Sequence, residues 1–409
     1  GYFGEAQPFQ VACARGWFDI PANDDDPDGV QVVCLPQASG GFAVAKLDDG
    51  DLDVALLGST PAATGLARGV RMQTFYVAHM KGTSQGLLVD PDIIGSPLDL
   101  DGRTIGTPFG STAHYHMLYI RTLFPDVSFD LINCNADCPD KYDAGTIDGA
   151  FVWGGVMEKM KSRGTTMLAP AKLLSDWEKA TFNTISVRDD FAVAHSAVVD
   201  RIAAVAARLD ADYLNEMMGL KGDDDIIRWD PEIDDATGFL ASVAAAYLEA
   251  PGDPVDASLA EREAAAEGLA RFEFVDPTAM QGSDYLGGGT AAALRETADF
   301  LYDIGNIASK APPAGIADID AFYVGTTTAQ FLEAGLASVP ASVLETTGAG
   351  VASIPEDADS TCSGTVDLTE ATGTLTDGAP TSYSNNLECE WRIASSGIVE
   401  LSFDAFRVW

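Results

Sequence analysis

The first 210 residues alternate strand signals with helix signals, and this rhythm restricts the fold more than any other feature. VQVVCL (30–35) reads as a buried strand, and GFAVAKLDDG (41–50) as a short helix ending at Gly50. DLDVALLG (51–58) places apolar residues at 52, 54 and 56. TPAATGLARG (60–69) opens with proline at a helix start and closes on Gly69. RMQTFYVAHM (71–80), QGLLVD (85–90) and RTIGTP (103–108) predict strands. TAHYHMLYIRTLF (112–124) predicts a helix, and IDGAFVWGG (147–155) a strand followed by a turn. Strands separated by helices in this way predict a mostly parallel α/β sheet.

From residue 190 the pattern turns helical. Val198, Ile202, Val205 and Leu209 recur at helical spacing, and more helices are expected to about 250. PGDPVDAS (251–258) reads as a loop. TAAALRETADFLYDIGNI (290–307) reads as a helix with Leu294, Ala298 and Leu301 on one face. Residues 335–360, rich in Ala, Ser, Thr, Gly and Pro, read as a joint. Beyond Cys362, LECEWRI (387–393) and IVELSFDAF (398–406) alternate with period two and predict an all-β segment.

Sixty-two acidic residues against 24 basic ones give a net charge of −38. That balance argues against nucleic acid and anionic membrane surfaces as partners. No apolar run approaches the length that crosses a bilayer. The start, GYFGEAQPFQ, lacks a basic-apolar signal, so a processed chain or a missing precursor end is expected. The runs NDDDPD (23–28) and GDDDI (222–226) have the oxygen ligands a calcium ion needs but no EF-hand pattern, and a solvated loop is the favoured reading.

Six cysteines in a large acidic chain point to three disulfides and an oxidising, extracellular compartment. Pairing sequence neighbours, Cys13 with Cys34, Cys134 with Cys138 and Cys362 with Cys389, is the simplest arrangement because each pair is local. A zinc site at Cys134 and Cys138 lacks a second Cys/His pair nearby.

The four histidines are His79, His114, His116 and His195. His114 and His116 stand two apart on a helix and so point to different sides. GTSQG (82–86) has G-x-S-x-G spacing but lies between two predicted strands rather than before a helix, and no HExxH pair or Walker loop is present, so no enzyme activity, metal or cofactor is expected. Binding fits better. In α/β sheets ligands lie beyond strand ends, where helix N-termini offer unpaired N–H groups. LLGSTPAA (56–63) and TPFGSTAHY (107–115) carry hydroxyls at such junctions, and KGTSQG (81–86) adds a third cluster. Each alone is more often a plain N-cap, but together they point to a shared oxyanion site.

At these residues the chain resembles the substrate-binding proteins of bacterial sulfonate importers, especially the taurine-binding branch. GYFGEAQPFQVA, GDLDVALLGSTPAA, GTSQGLLV, GRTIGTPFGSTAHYHML, IDGAFVWGG and WEKATFNTISVRDDF (177–191) carry the resemblance. With TADFLYDIGNI and DAFYVGTTTAQFL (320–332) it extends over about 330 of the 409 residues. It implies a two-lobed periplasmic-binding-protein-like (type II) α/β fold over 1–335. Lobe one would take about 1–80 and 190–335, and lobe two about 85–185. The resemblance implies a small anionic sulfonate between the lobes, gripped by N–H groups and hydroxyls rather than by a salt bridge. Ser59 and Thr60 would face it from lobe one, and Ser111 and Thr112 from lobe two. Trp153 would wall the pocket, with Thr83 and Ser84 near the hinge.

The family's taurine binders receive an ammonium on acidic side chains, and here the pattern departs. Gln85 stands where Glu is expected, Asn183 where Asp is expected, and Gln7 where Glu precedes the early proline, with Glu5 close by. Amides carry no charge for a buried cation. The expected ligand is therefore a sulfonate or similar anion whose other end is neutral, a hydroxyl being one candidate.

After a linker at 336–360, residues 361–409 resemble the first part of a CUB domain. CSGTVDLTEATGTL, YSNNLECEWRI and IVELSFDAF carry this resemblance, with Cys362 and Cys389 matching its first disulfide and Trp391 its nearby aromatic. It implies a partial all-β sandwich, completed by further chain or by another molecule, in a secreted protein with protein partners. A rival expectation is a structural or adhesive extracellular protein that keeps the two-lobed fold without using its cleft.

Overall fold

The computed structural model describes residues 9, 12–13, 15–22, 29–37, 39–175, 179–220, 271–310, 318–339, 364–368 and 389–393. The chain divides into two units, Gly1–Gly348 and Ala349–Trp409. In the first, α1 (Gly40–Asp49) leads to β1 (Val54–Gly58), α2 (Ser59–Arg68) and β2 (Met72–Met80). Next come β3 (Gln85–Val89), β4 (Thr104–Thr107), α3 (Thr112–Leu123), β5 (Asp130–Asn133) and α4 (Cys138–Asp143). They are followed by β6 (Gly149–Trp153), α5 (Gly154–Lys161), β7 (Thr166–Pro170) and α6 (Ala171–Ser175). β8 (Phe182–Arg188) precedes α7 (Asp189–Ala194) and α8 (Ser196–Leu220). The last described helices of this unit are α9 (Pro277–Met280), α10 (Gly289–Asp303), α11 (Ile319–Val324) and α12 (Gln330–Ser338).

The strands form two sheets, ordered β1-β8-β2 and β5-β4-β6-β3-β7. The expected mostly parallel arrangement holds only for β4, which runs parallel to β5 and β6. Helical crossovers enforce such pairs. β8 is antiparallel to β1 and β2, and β3 is antiparallel to β6 and β7. β3 and β8 carry the chain into the second sheet and back. No helical crossover sets their direction.

Local chemistry marks the elements. Gly50 at φ 84° and Gly69 at φ 95° end α1 and α2 in the left-handed conformation that glycine adopts without penalty. In the first core, Val198, Ile202, Val205 and Leu209 on α8 and Leu294 and Ala298 on α10 are buried with the sheet strands. The second sheet is covered on both faces. Successive β3 residues point to opposite sides, Leu87 toward Ile105, Met117 and Phe151, and Leu88 toward Ile147, Val152 and Met160.

Several expectations need correction. VQVVCL is not a strand; only Val30 pairs, in an isolated bridge to Ile20, and Val33 is 70% exposed. The Cys13–Cys34 disulfide and a Val32 N–H bond to Asp19 hold this segment instead. Trp153 is followed by a helix rather than a turn alone, because Gly154 at φ 54° turns the chain directly into α5. β8 lies in the first sheet, so the return crossing ends before Phe182. α12 runs to Ser338, three residues into the expected linker, and the Arg208 guanidinium reaches the carbonyl of Val339 beyond it.

The Cys134–Cys138 disulfide is present, packed in the second core. Cys362, the two aspartate runs, the expected loop at 251–258 and the expected strand at 398–406 lie outside the described residues. In the second unit, β9 (Gly364–Leu368) and β10 (Cys389–Ile393) form a parallel pair. Among the described residues no helix is long and apolar enough to cross a membrane.

Candidate functional site

Four helix starts open onto one cavity of about 150 Å³. Ser39, Gly40 and Gly41 from the start of α1 line it, as do Gly58 before α2, Ser111 and Thr112 at α3, and Trp153 before α5. Phe109, Asn133, Asn135 and Lys81 complete much of the wall. Unpaired first-turn N–H groups and the positive ends of four helices favour an anion. Gly58 and Trp153 supply no side-chain cap to their helices. No aspartate or glutamate is among the described lining residues.

The hydroxyls predicted to hold the anion are largely committed elsewhere. Ser111 donates to the Pro108 carbonyl at 2.6 Å and accepts the His114 N–H at 3.2 Å, so it caps α3 and braces the preceding loop. Thr112 donates to Gln85 Oε1 at 3.0 Å. Ser59 is buried and accepts the Phe182 N–H at 3.4 Å. Thr60 is buried with no partner for its hydroxyl. Ser84 donates to the Lys81 carbonyl at 2.6 Å, and Thr83 is exposed, its N–H bonded to the Arg271 carbonyl at 2.8 Å. A hydroxyl has one proton to give, so those of Ser111, Thr112 and Ser84 are already spent, and main-chain N–H groups remain as donors at the helix starts.

The three amide positions separate. Gln85 is fully buried, with Nε2 3.4 Å from both Thr181 Oγ1 and His116 Nδ1, and its amide is used within the protein. Asn183 is also fully buried; Nδ2 lies 2.9 Å from His79 Nε2, and Oδ1 has no partner. That oxygen would be 3.7 Å from a Cβ placed on Gly58, so it lies close beneath the cavity wall. Gln7 and Glu5 are outside the described residues.

Burial holds the nearby imidazoles neutral. Burial is the larger cause of the lowered His79 pKa, with the Lys81 charge adding to it. His116 is lowered to about 3, chiefly by burial, and His114 to about 4, by burial and then Arg121. His114 stacks on Phe109 at 4.5 Å and accepts the Gly110 N–H at 3.2 Å, which steadies the loop that lines the cavity. Asn133 Oδ1 accepts the Phe109 N–H at 2.9 Å. Among the described residues no group of three or more His, Cys, Asp or Glu side chains is placed to hold a metal ion.

The two crossing segments meet beneath this wall, where the Lys81 N–H bonds the Thr181 carbonyl at 3.0 Å. Lys172 meets Glu273 at 2.7 Å, and Arg271 meets Glu158. Solved structures of similar fold include the alkanesulfonate-binding protein SsuA from Xanthomonas axonopodis pv. citri bound to MOPS, at TM-score 0.56 and 15% identity over 76% of this chain and 94% of that one. The periplasmic aliphatic sulphonate binding protein SsuA from Escherichia coli matches at TM-score 0.56 and 16% identity, over 81% of this chain and 97% of that one. The nitrate-binding protein NrtA from Synechocystis PCC 6803 matches at 0.55 and 12%, over 84% and 89%.

The fold is that of the periplasmic binding proteins. In sequence, 216 residues are 31% identical to the taurine-binding periplasmic protein of Escherichia coli (strain K12), covering 52% of this chain and 65% of that protein. A scan of known protein families finds none that matches the chain.

Among the wall residues that escaped the sequence reading are Lys81, Asn133 and Asn135. Lys81 begins KGTSQG, where a lysine in a turn ordinarily reads as solvated. Asn133 and Asn135 follow β5, and only the sheet order brings them to the Phe109 loop. For Lys81 the signal was present in its place between two strongly apolar strands; for the asparagines there was none.

Proposed function

We propose that the first unit binds a small anionic organosulfonate that lacks an amine, held between the two sheets by helix N-termini. The convergence of four helix starts on a cavity without a described carboxylate carries this reading. The sequence similarity to a taurine-binding protein and the shared fold support the ligand class. The cavity leaves room for a small ligand. The two disulfides support a secreted protein. For the C-terminal unit, the CUB-like motifs support contacts with protein partners. Titration calorimetry with isethionate, ethanesulfonate and taurine tests the ligand. Binding of the first two is expected; tight taurine binding with no isethionate binding overturns the reading.

A further inference from the structure

One side of the cavity differs in chemistry from the helix starts. Phe109, Asn133 and Asn135 line it, and all three are exposed, Phe109 by 50%. An exposed phenyl ring is ordinarily free to turn, but this one is held. One face stacks on His114, with centroids 4.5 Å apart and planes 20° apart. Burial keeps that imidazole uncharged, its pKa lowered to about 4. The loop is tied twice, by the Phe109 N–H to Asn133 Oδ1 at 2.9 Å and by the Gly110 N–H to His114 Nδ1 at 3.2 Å. Among the described residues no second ring stacks on Phe109. Trp153, packed on the core of the second sheet, brings another aromatic side chain to the same lining.

The amides are equally well placed. An N–H can meet Asn133 only at its oxygen, so that side chain is oriented and its Nδ2 protons are left to donate. The Asn135 main chain is fixed, with its N–H on Asp137 at 2.8 Å and its carbonyl accepting the Cys138 N–H at 3.2 Å, while its amide makes no hydrogen bond to the described residues. Together the two amides offer donors and acceptors without charge. Such groups beside aromatic rings suit a carbon chain that carries hydroxyls, with C–H bonds packed on a ring and hydroxyls turned to the amides. The cavity of about 150 Å³ admits roughly ten waters, at about 10–15 Å³ of accessible space each, which is more room than a two-carbon sulfonate fills.

We propose that Phe109, Asn133 and Asn135 form a subsite for a hydroxylated carbon chain, so that the preferred ligand is a polyhydroxylated sulfonate of three or more carbons, such as dihydroxypropanesulfonate. This inference rests on reading the cavity as an organosulfonate site. The helix N-termini hold the sulfonate, and the Phe109 side of the wall reads what it is attached to. Gln85 takes no part, because Thr112, Thr181 and His116 already use its amide. A chain without hydroxyls would cover the two asparagine amides and leave them unpaired, which disfavours it.

The test is calorimetry on the full chain with 2,3-dihydroxypropanesulfonate, propanesulfonate, methanesulfonate and glycerol, comparing wild type with Asn135→Ala and Phe109→Ala. Wild type is expected to bind dihydroxypropanesulfonate at least about tenfold more tightly than propanesulfonate. Asn135→Ala is expected to lower that ratio at least about threefold and to leave propanesulfonate affinity within about twofold. Phe109→Ala is expected to weaken both three-carbon sulfonates at least about fivefold more than methanesulfonate. Thermal melts show whether the variants fold; if either does not, the other variant and the wild-type ranking decide. Propanesulfonate binding as tight as dihydroxypropanesulfonate overturns the inference and leaves the organosulfonate reading intact. An unchanged ratio in Asn135→Ala, or equal losses for all three sulfonates in Phe109→Ala, overturns the assignment of the subsite to these residues. Glycerol binding with no sulfonate binding overturns the organosulfonate reading while keeping a hydroxyl subsite. Binding of no ligand in the panel overturns both.

Discussion

Thr112 donates its hydroxyl proton to Gln85 Oε1 across 3.0 Å, tying the first residue of α3 to the first residue of β3. The other end of the amide faces Thr181 and His116. Gln85→Glu therefore places a carboxylate in a buried network rather than in the cavity. It is expected to cost about 2 kcal/mol or more of stability and to change taurine affinity by less than about threefold. Thermal melts and calorimetry check both parts; a large gain in taurine affinity contradicts this geometry.

Asn183 differs, because its Oδ1 has no partner and lies beneath Gly58 at the cavity wall. Asn183→Asp puts a negative charge there. It is expected to shift the taurine-to-isethionate affinity ratio toward taurine by about tenfold. Competition binding at low salt, where screening is weakest, measures the ratio.

Gly58, before α2, sits against Thr112 at the start of α3. A Cβ there would lie 3.1 Å from Thr112 Cγ2. Gly58→Ala is expected to weaken closure by about 1 kcal/mol, a loss of about fivefold in ligand affinity. Adding Thr112→Ser removes that methyl and should recover much of the loss in a double-mutant cycle. If the two changes are simply additive, the clash is not the cause.

Acid stability should follow the buried imidazoles. His114 and His116 stay neutral down to about 4 and about 3, whereas a free imidazole protonates near 6.5. Their folded values are depressed, so the stability they give is present above about pH 6.5 and is lost as pH falls through that window. Asp210 moves the other way. Its carboxyl is buried, accepts the Tyr76 hydroxyl proton at 2.5 Å, and is raised well above the usual range by burial. Its contribution is present below about pH 3.8 and is lost as pH rises through its raised folded value. Relative to wild type, Asp210→Asn should gain stability from pH 4 to pH 7, and His116→Gln should lose it over the same interval. Melting curves at both pH values check the two signs.

Much of the scaffold was legible in the residues. Gly50 and Gly69 announced the ends of α1 and α2, Ser111 announced the start of α3, and the alternating four- and three-residue spacing on α8 announced its buried face. Strand direction was not legible. The apolar patterns of β3 and β8 read the same whichever way a strand runs, and only the crossings between sheets make them antiparallel. At the site, sequence located the helix starts but not the acceptors of the Ser111 and Thr112 hydroxyls. The hydroxyl of Ser111 looks identical in sequence whether it meets a ligand or the Pro108 carbonyl. The buried place of Lys81 depends on Thr181, a hundred residues further along the chain.

The commitment of the cavity hydroxyls has an evolutionary consequence. When the grip on an anion belongs to the main chain, no single side-chain replacement can delete it, because every residue except proline brings its own N–H. Such a cleft can drift through many wall residues and keep its appetite for negative charge. What changes is the other end of the ligand, so new specificities can arise from one or two substitutions on an inherited holdfast.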